Sequence, residues 1–153
     1  MTRLGDAAAA LGKGLVSGAV GTAVMTVAQS VEMKATGREP STTPLEAARK
    51  TLGIEPADEA AAQRLNQMVH WAYGTQWGLA RAVLGAFGWP APAAAAGHFA
   101  LIWGAALVML PALGLAPPPR EWGREGLAKD AGFHLLYAIS ASVTYAYLER
   151  NGR

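Results

Sequence analysis

An all-α fold, with four membrane-crossing helices packed antiparallel in one integral domain, is predicted by three features of the chain. Only 16% of the 153 residues are charged while 52% are hydrophobic, a balance that suits a membrane better than water. From Leu65 to Pro119 the one Asp, Glu, Lys or Arg is Arg81, and a water-facing surface does not run that far without charge. No stretch alternates apolar and polar residues as a barrel strand does, so helices must satisfy the backbone in lipid. The mean hydropathy of +0.17 understates this pattern, because alanine and glycine supply much of the apolar count and the charges are clustered. A soluble alanine-rich bundle, the rival reading, would not leave such long uncharged windows.

The spans fall at about 14–31, 66–87, 93–115 and 131–148, each near the roughly 20 residues that a membrane helix needs. In the first, Gly14, Gly18, Thr22, Thr26 and Ser30 recur every four residues and form one small-residue stripe. Such a stripe lets another helix approach closely, and hydroxyls bond across the contact. It is read as a packing seam in preference to a substrate path. Arg3 and Lys13 before an apolar run resemble a signal peptide, but the run ends in "QSVEMK", which continues a helix, so the span is expected to be retained.

The polar connection over about 33–64 contains "TTPLEAARKTLG". Thr43 is placed to cap a short helix, Pro44 suits its first position, Glu46 completes a capping box and Gly53 ends it. Leu45, Ala48 and Leu52 give that helix an apolar stripe suited to a membrane surface. A further helix should start near Pro56 and run into the second span, with no breaker before Gly74. "GWPAP" turns the chain into the third span, where Pro111 is expected to kink the helix. Three prolines and Trp122 mark the connection to the fourth span.

Lys34, Arg38, Arg49, Lys50, Arg64, Arg120, Arg124 and Lys129 flank the first and third connections, against Arg3, Lys13, Arg150 and Arg153 near the termini. The positive-inside rule places those connections in the cytoplasm and the termini outside. The side of the two connections is the loop end, and the opposite side the terminus end.

Antiparallel spans bring Glu32, His70 and His134 to similar depth near the loop end. A carboxylate and two imidazoles can form a first shell for zinc or another divalent metal with a place left for water. They can equally relay a proton, or simply bond to one another, to backbone or to headgroups. Asn66 and Arg81 lie on the neighbouring face of the second span as secondary candidates, Arg81 reaching toward the terminus end or holding an anionic group. His98, at the start of the third span, is expected at a solvated helix end. Two histidines on facing helices also suit haem, but Trp71, Tyr73, Leu135 and Tyr137 leave little room for a porphyrin, which argues against it.

The absence of cysteine excludes disulfides, iron–sulfur clusters and thiol catalysis. There is no phosphate loop, serine elbow or His-Glu-x-x-His pair, so no motif establishes an enzyme. A pI of 9.2 with a formal charge of +2 is ordinary for a membrane protein and does not point to nucleic acid. The expected partners are the lipid bilayer and, through the seam, a second copy or another membrane protein.

The order of features resembles the YagU-type bacterial inner-membrane proteins, a family without an established activity. The resemblance rests on "VEMKATGREP" after a Gly-rich span, "VHWAYG" in the second, "PALGLAPP" after the third and "GFHLLYA" opening the fourth. By it, Glu32, His70, Pro117, Pro118 and His134 correspond to the family pattern, while "KATGREP" departs from the tighter proline–arginine run usual there. It implies a multi-pass protein of the bacterial inner (cytoplasmic) membrane. The resemblance names no substrate, and the function expected from Glu32, His70 and His134 is a polar site that binds or passes a proton, a metal ion or a small anionic molecule. The alternatives are an accessory subunit that docks another membrane protein and a metal-dependent membrane enzyme.

Overall fold

The computed structural model describes residues 3–152. The side chain of Arg3 and all of Arg153, both counted above for orientation, lie outside the described residues. Among these there are five α-helices and no strand: α1 (Arg3–Thr36), α2 (Thr43–Leu52), α3 (Glu59–Ala86), α4 (Ala91–Ala112) and α5 (Gly123–Asn151), with a single 3-10 turn at Pro119–Glu121 before α5. The fold is all-α. Two helices, α1 over Leu4–Thr36 and α4, are long and apolar enough to cross a membrane.

Local chemistry sets the helix ends, in places one to three residues from where pattern alone puts them. Thr42, not Thr43, is the N-cap of α2, and its side chain makes no capping bond. Glu46 does not close a capping box, because its carboxylate is taken by Arg49 at 2.7 Å. The amide of Leu45 is instead satisfied from another helix, by Asn66 Oδ1 at 3.0 Å. Gly53 ends α2 in the left-handed region (φ 65°), where a side chain is costly, and donates to Arg49 O. Pro56 does not start α3. Asp58 does, accepting from the amide of Ala61 at 2.7 Å. Pro111 does not kink α4, since the helix ends one residue later and the proline sits in its last turn.

The most extensive interface joins α1 to α3, followed by α1 with α5; α4 packs against both α5 and α3. Glycine makes the first of these possible. A methyl on Gly14 would stand 2.8 Å from Gly78 O, and one on Gly18 would strike Thr75 O. Gly74 lies against Thr22, and a Cβ on Gly78 would meet the backbone of Gly14 and Gly18. Gly74 thus continues α3 without breaking it, because its missing side chain admits α1. On the other side of α1, Gly21 admits the Tyr137 ring, with a Cβ there only 2.8 Å from Tyr137 Cε2. Tyr137, Ala138 and Ala141 of α5 form the core with Ile102 of α4.

The buried set is rich in small and polar side chains, among them Ser17, Thr22, Arg81, His98 and Ser142, whereas large apolar ones such as Val27, Met68, Val108 and Val143 are more than 60% exposed. The apolar surface faces outward on every long helix.

Replacing Gly78 by Ala should lower the unfolding free energy by about 1–3 kcal/mol through overpacking at the seam. Gly104, which has nothing within 4 Å of a Cβ, should instead tolerate Ala with a gain of about 0.5–1 kcal/mol from helix propensity. Denaturation of the two variants in the same detergent checks the contrast.

Candidate functional site

A cavity of about 530 Å³ opens at the loop end between α1, α3, α5, the last turn of α4 and the segment that leads into α2. Met25, Met33, Val69, Met109, Leu110 and Phe133 supply its apolar walls, and Thr26, His70, Asp130 and His134 its polar ones. The lead-in to α2 is held over it by Asn66, whose amide donates to Ser41 O at 3.0 Å while its oxygen accepts from Leu45. Asn66 therefore ties the lid segment to α3.

The two histidines of the cavity are oriented from their own or a neighbouring helix. Thr26 Oγ1 lies 2.7 Å from Thr22 O, and two oxygens at that separation need the hydroxyl proton between them. His70 Nε2, 2.9 Å from the same hydroxyl, then donates to it and leaves Nδ1 as the acceptor. His134 Nδ1 lies 2.9 Å from the carbonyl of Asp130, which only accepts, so Nδ1 carries a hydrogen and, in the neutral ring, Nε2 is the acceptor. The Asp130 carboxylate stands 3.6 Å from the same Nδ1 and receives the indole N–H of Trp103 at 3.0 Å.

Glu32 is not on the cavity wall. One carboxylate oxygen accepts from Lys129 at 2.8 Å and the other from Arg38 Nε and Nη2 at 3.0 and 2.9 Å. Lys129 foremost, then Arg38, holds the Glu32 carboxyl below the usual carboxylate range. The three charges clamp the end of α1, the lead-in to α2 and the start of α5 around the rim, and Lys129 and Arg38 also face the cavity. His70 and His134 are thus brought to one cavity, with Glu32 behind its rim. Among the described residues no three His, Asp or Glu side chains form a group that would hold a metal ion.

The terminus end is organised differently. Arg81 is 3% exposed and lies with Cζ 4.6 Å from the centre of the Tyr145 ring, far along α3 from the cavity. His98 is not at a solvated helix end. It is fully buried, with Nε2 3.0 Å from Trp77 O and its ring against Tyr137. The reason is that α4 begins at Ala91, two turns earlier, and carries His98 into the core.

Sequence reasoning did not single out Asp130, although its position four residues before His134 in "DAGFH" is a helical i,i+4 signal. The bond between Thr26 and His70 crosses two helices and had no local signal. Comparison with family models, curated proteins and solved structures finds no match to this chain.

Substituting Glu32 by Gln should free the lead-in to α2, seen as faster motion of a spin label on Glu39→Cys. Because its neighbours depress the Glu32 pKa, the clamp is present above the ordinary carboxylate range. In the unsubstituted chain, the same loosening should appear only as the pH falls below that range.

Proposed function

We propose that this chain is a four-span protein of the bacterial inner membrane that binds an amphipathic molecule with an acidic head in the loop-end cavity. The cavity carries the reading: about 530 Å³ is the size of a small-ligand site, and its walls combine an apolar body with a few convergent polar groups. Three methionines give it walls that adapt to a flexible chain. Arg38 and Lys129 line it, and each has N–H donors beyond those it gives to Glu32, which favours an acidic head over a basic one. His134 Nε2 and His70 Nδ1 add two acceptors for a protonated head or a bound water.

The membrane setting is supported by the outward-facing apolar surface of all four long helices. In the most apolar window of α4 only 22% of residues are buried inside the fold, so protein does not cover it and lipid would. The same reading places the first and third connections in the cytoplasm by their Lys and Arg, and it agrees with the resemblance to YagU-type proteins. An accessory role through the Gly14, Gly18 and Thr22 seam has less support, because α3 of the same chain occupies that seam. A divalent metal would have His70 and His134 but would have to draw Glu32 away from Lys129 and Arg38.

A brominated medium-chain fatty acid added to the detergent-purified protein should quench tryptophan fluorescence saturably. His134→Ala should weaken its binding by about tenfold at a pH where the acid is protonated, the worth of a hydrogen bond from the acid O–H to Nε2, and filling the cavity by Met109→Trp should abolish it. Quenching that never saturates, or that both variants leave unchanged, would sink the proposal.

A further inference from the structure

A second polar centre lies in the core at the terminus end. The Arg81 guanidinium is buried, yet neither Nε nor Nη1 has a hydrogen-bond partner. The Tyr145 ring beneath it offers a cation–π contact but accepts none of these N–H groups in the plane of the fork. Ser142, one turn before Tyr145 on α5, is 5% exposed and its hydroxyl is equally unpartnered. Three donors on two facing helices are therefore unfilled.

The charges do not balance either. Glu149 is the carboxylate that attracts Arg81, but its Oε1 is already 2.9 Å from Lys13 Nζ. Two cations share one carboxylate, which leaves a net charge of +1 beside a buried guanidinium. Buried charges are normally paired, and an arginine within an apolar span marks a site by default. His98 gives its Nε2 hydrogen to Trp77 O, one turn before Arg81, and an imidazole has no negative charge to supply.

We propose that Arg81 and Ser142 hold a small monovalent anion of halide size between α3 and α5. The guanidinium edge and the hydroxyl supply hydrogen bonds, and the anion brings the Lys13, Arg81 and Glu149 group to neutrality. Burial of all three donors selects an ion of atomic size over a phosphate or carboxylate, which would have to part the helices. The inference does not rest on the loop-end cavity: His70 and Arg81 are eleven residues apart on α3, about 16 Å along the helix.

The test is thermal unfolding of the full chain in detergent, with bromide titrated against gluconate at constant ionic strength. Bromide should raise the midpoint saturably, Arg81→Gln should abolish the rise, and Ser142→Ala should raise the half-saturating concentration about fivefold to tenfold. If Arg81→Gln does not fold, iodide quenching of tryptophan decides, since Trp77 is one turn from Arg81. A saturable component weakened by Ser142→Ala supports the site. Equal stabilisation by gluconate, indifference to Ser142→Ala, or stabilisation by a short-chain anionic lipid in place of bromide would overturn it.

Discussion

The near-contact of two backbones, α1 at Gly14 and Gly18 against α3 at Gly78, is the constraint from which the rest of the arrangement follows. With no side chain between them, the helices approach until a methyl on either would meet a carbonyl or an amide of the other. That distance lets Thr26 reach His70 at 2.9 Å, eight residues beyond Gly18 and about two turns further along. It leaves room on the opposite side of α1, at Gly21, for Tyr137, whose hydroxyl crosses to Gly74 O at 2.6 Å. Tyr137 thus ties α5 to α3 across α1, and His98 of α4 packs on its ring. A larger residue in the seam would separate all of these partners together.

Polar groups inside the fold are settled mainly within single helices. Ser17, Thr22, Thr26 and Ser30 each donate to the carbonyl four residues earlier, as does Thr144 on α5. Back-bonding of this kind satisfies a hydroxyl without a second helix, so these side chains pack as small apolar ones would. Beside Tyr137 to Gly74 O, His98 to Trp77 O and the ion pairs Lys13–Glu149 and Lys129–Glu32, four bonds leave their own helix: Asn66 to the lead-in of α2, Thr26 to His70, Trp103 to Asp130, and Lys50 to the last carbonyls of α4 at Leu113 and Gly114. All four lie toward the loop end, where they shape the cavity.

The two ends differ in how charge is balanced. At the loop end Glu32 sits between Arg38 and Lys129 close to solvent, and both cations are hydrogen-bonded to it. At the terminus end Lys13 has Glu149, while Arg81 is buried against an aromatic face with donors to spare. The first arrangement fixes a rim; the second stores an unbalanced cation in the core.

The all-α class was legible in the sequence because hydropathy and the absence of alternation are properties of local composition, and of the four expected spans α1 and α4 are apolar enough to cross a membrane. The four-residue recurrence of Gly14, Gly18 and Thr22 was legible for the same reason, since a repeat close to the helical period names a face before its partner is known. The cap of α2 was misplaced by one residue because Arg49 competed for Glu46, and α3 started late because Asp58 outranks Pro56 as an N-cap. His70 and His134 could be matched in depth from span order alone, but their hydrogen positions depend on Thr26 and on the Asp130 carbonyl. Whether Glu32 faced the cavity, and whether His98 and Arg81 met water, depended on contacts between residues distant in the chain. Those are set by how closely backbones pack and which cation reaches a carboxylate first, and only the tertiary structure decides them.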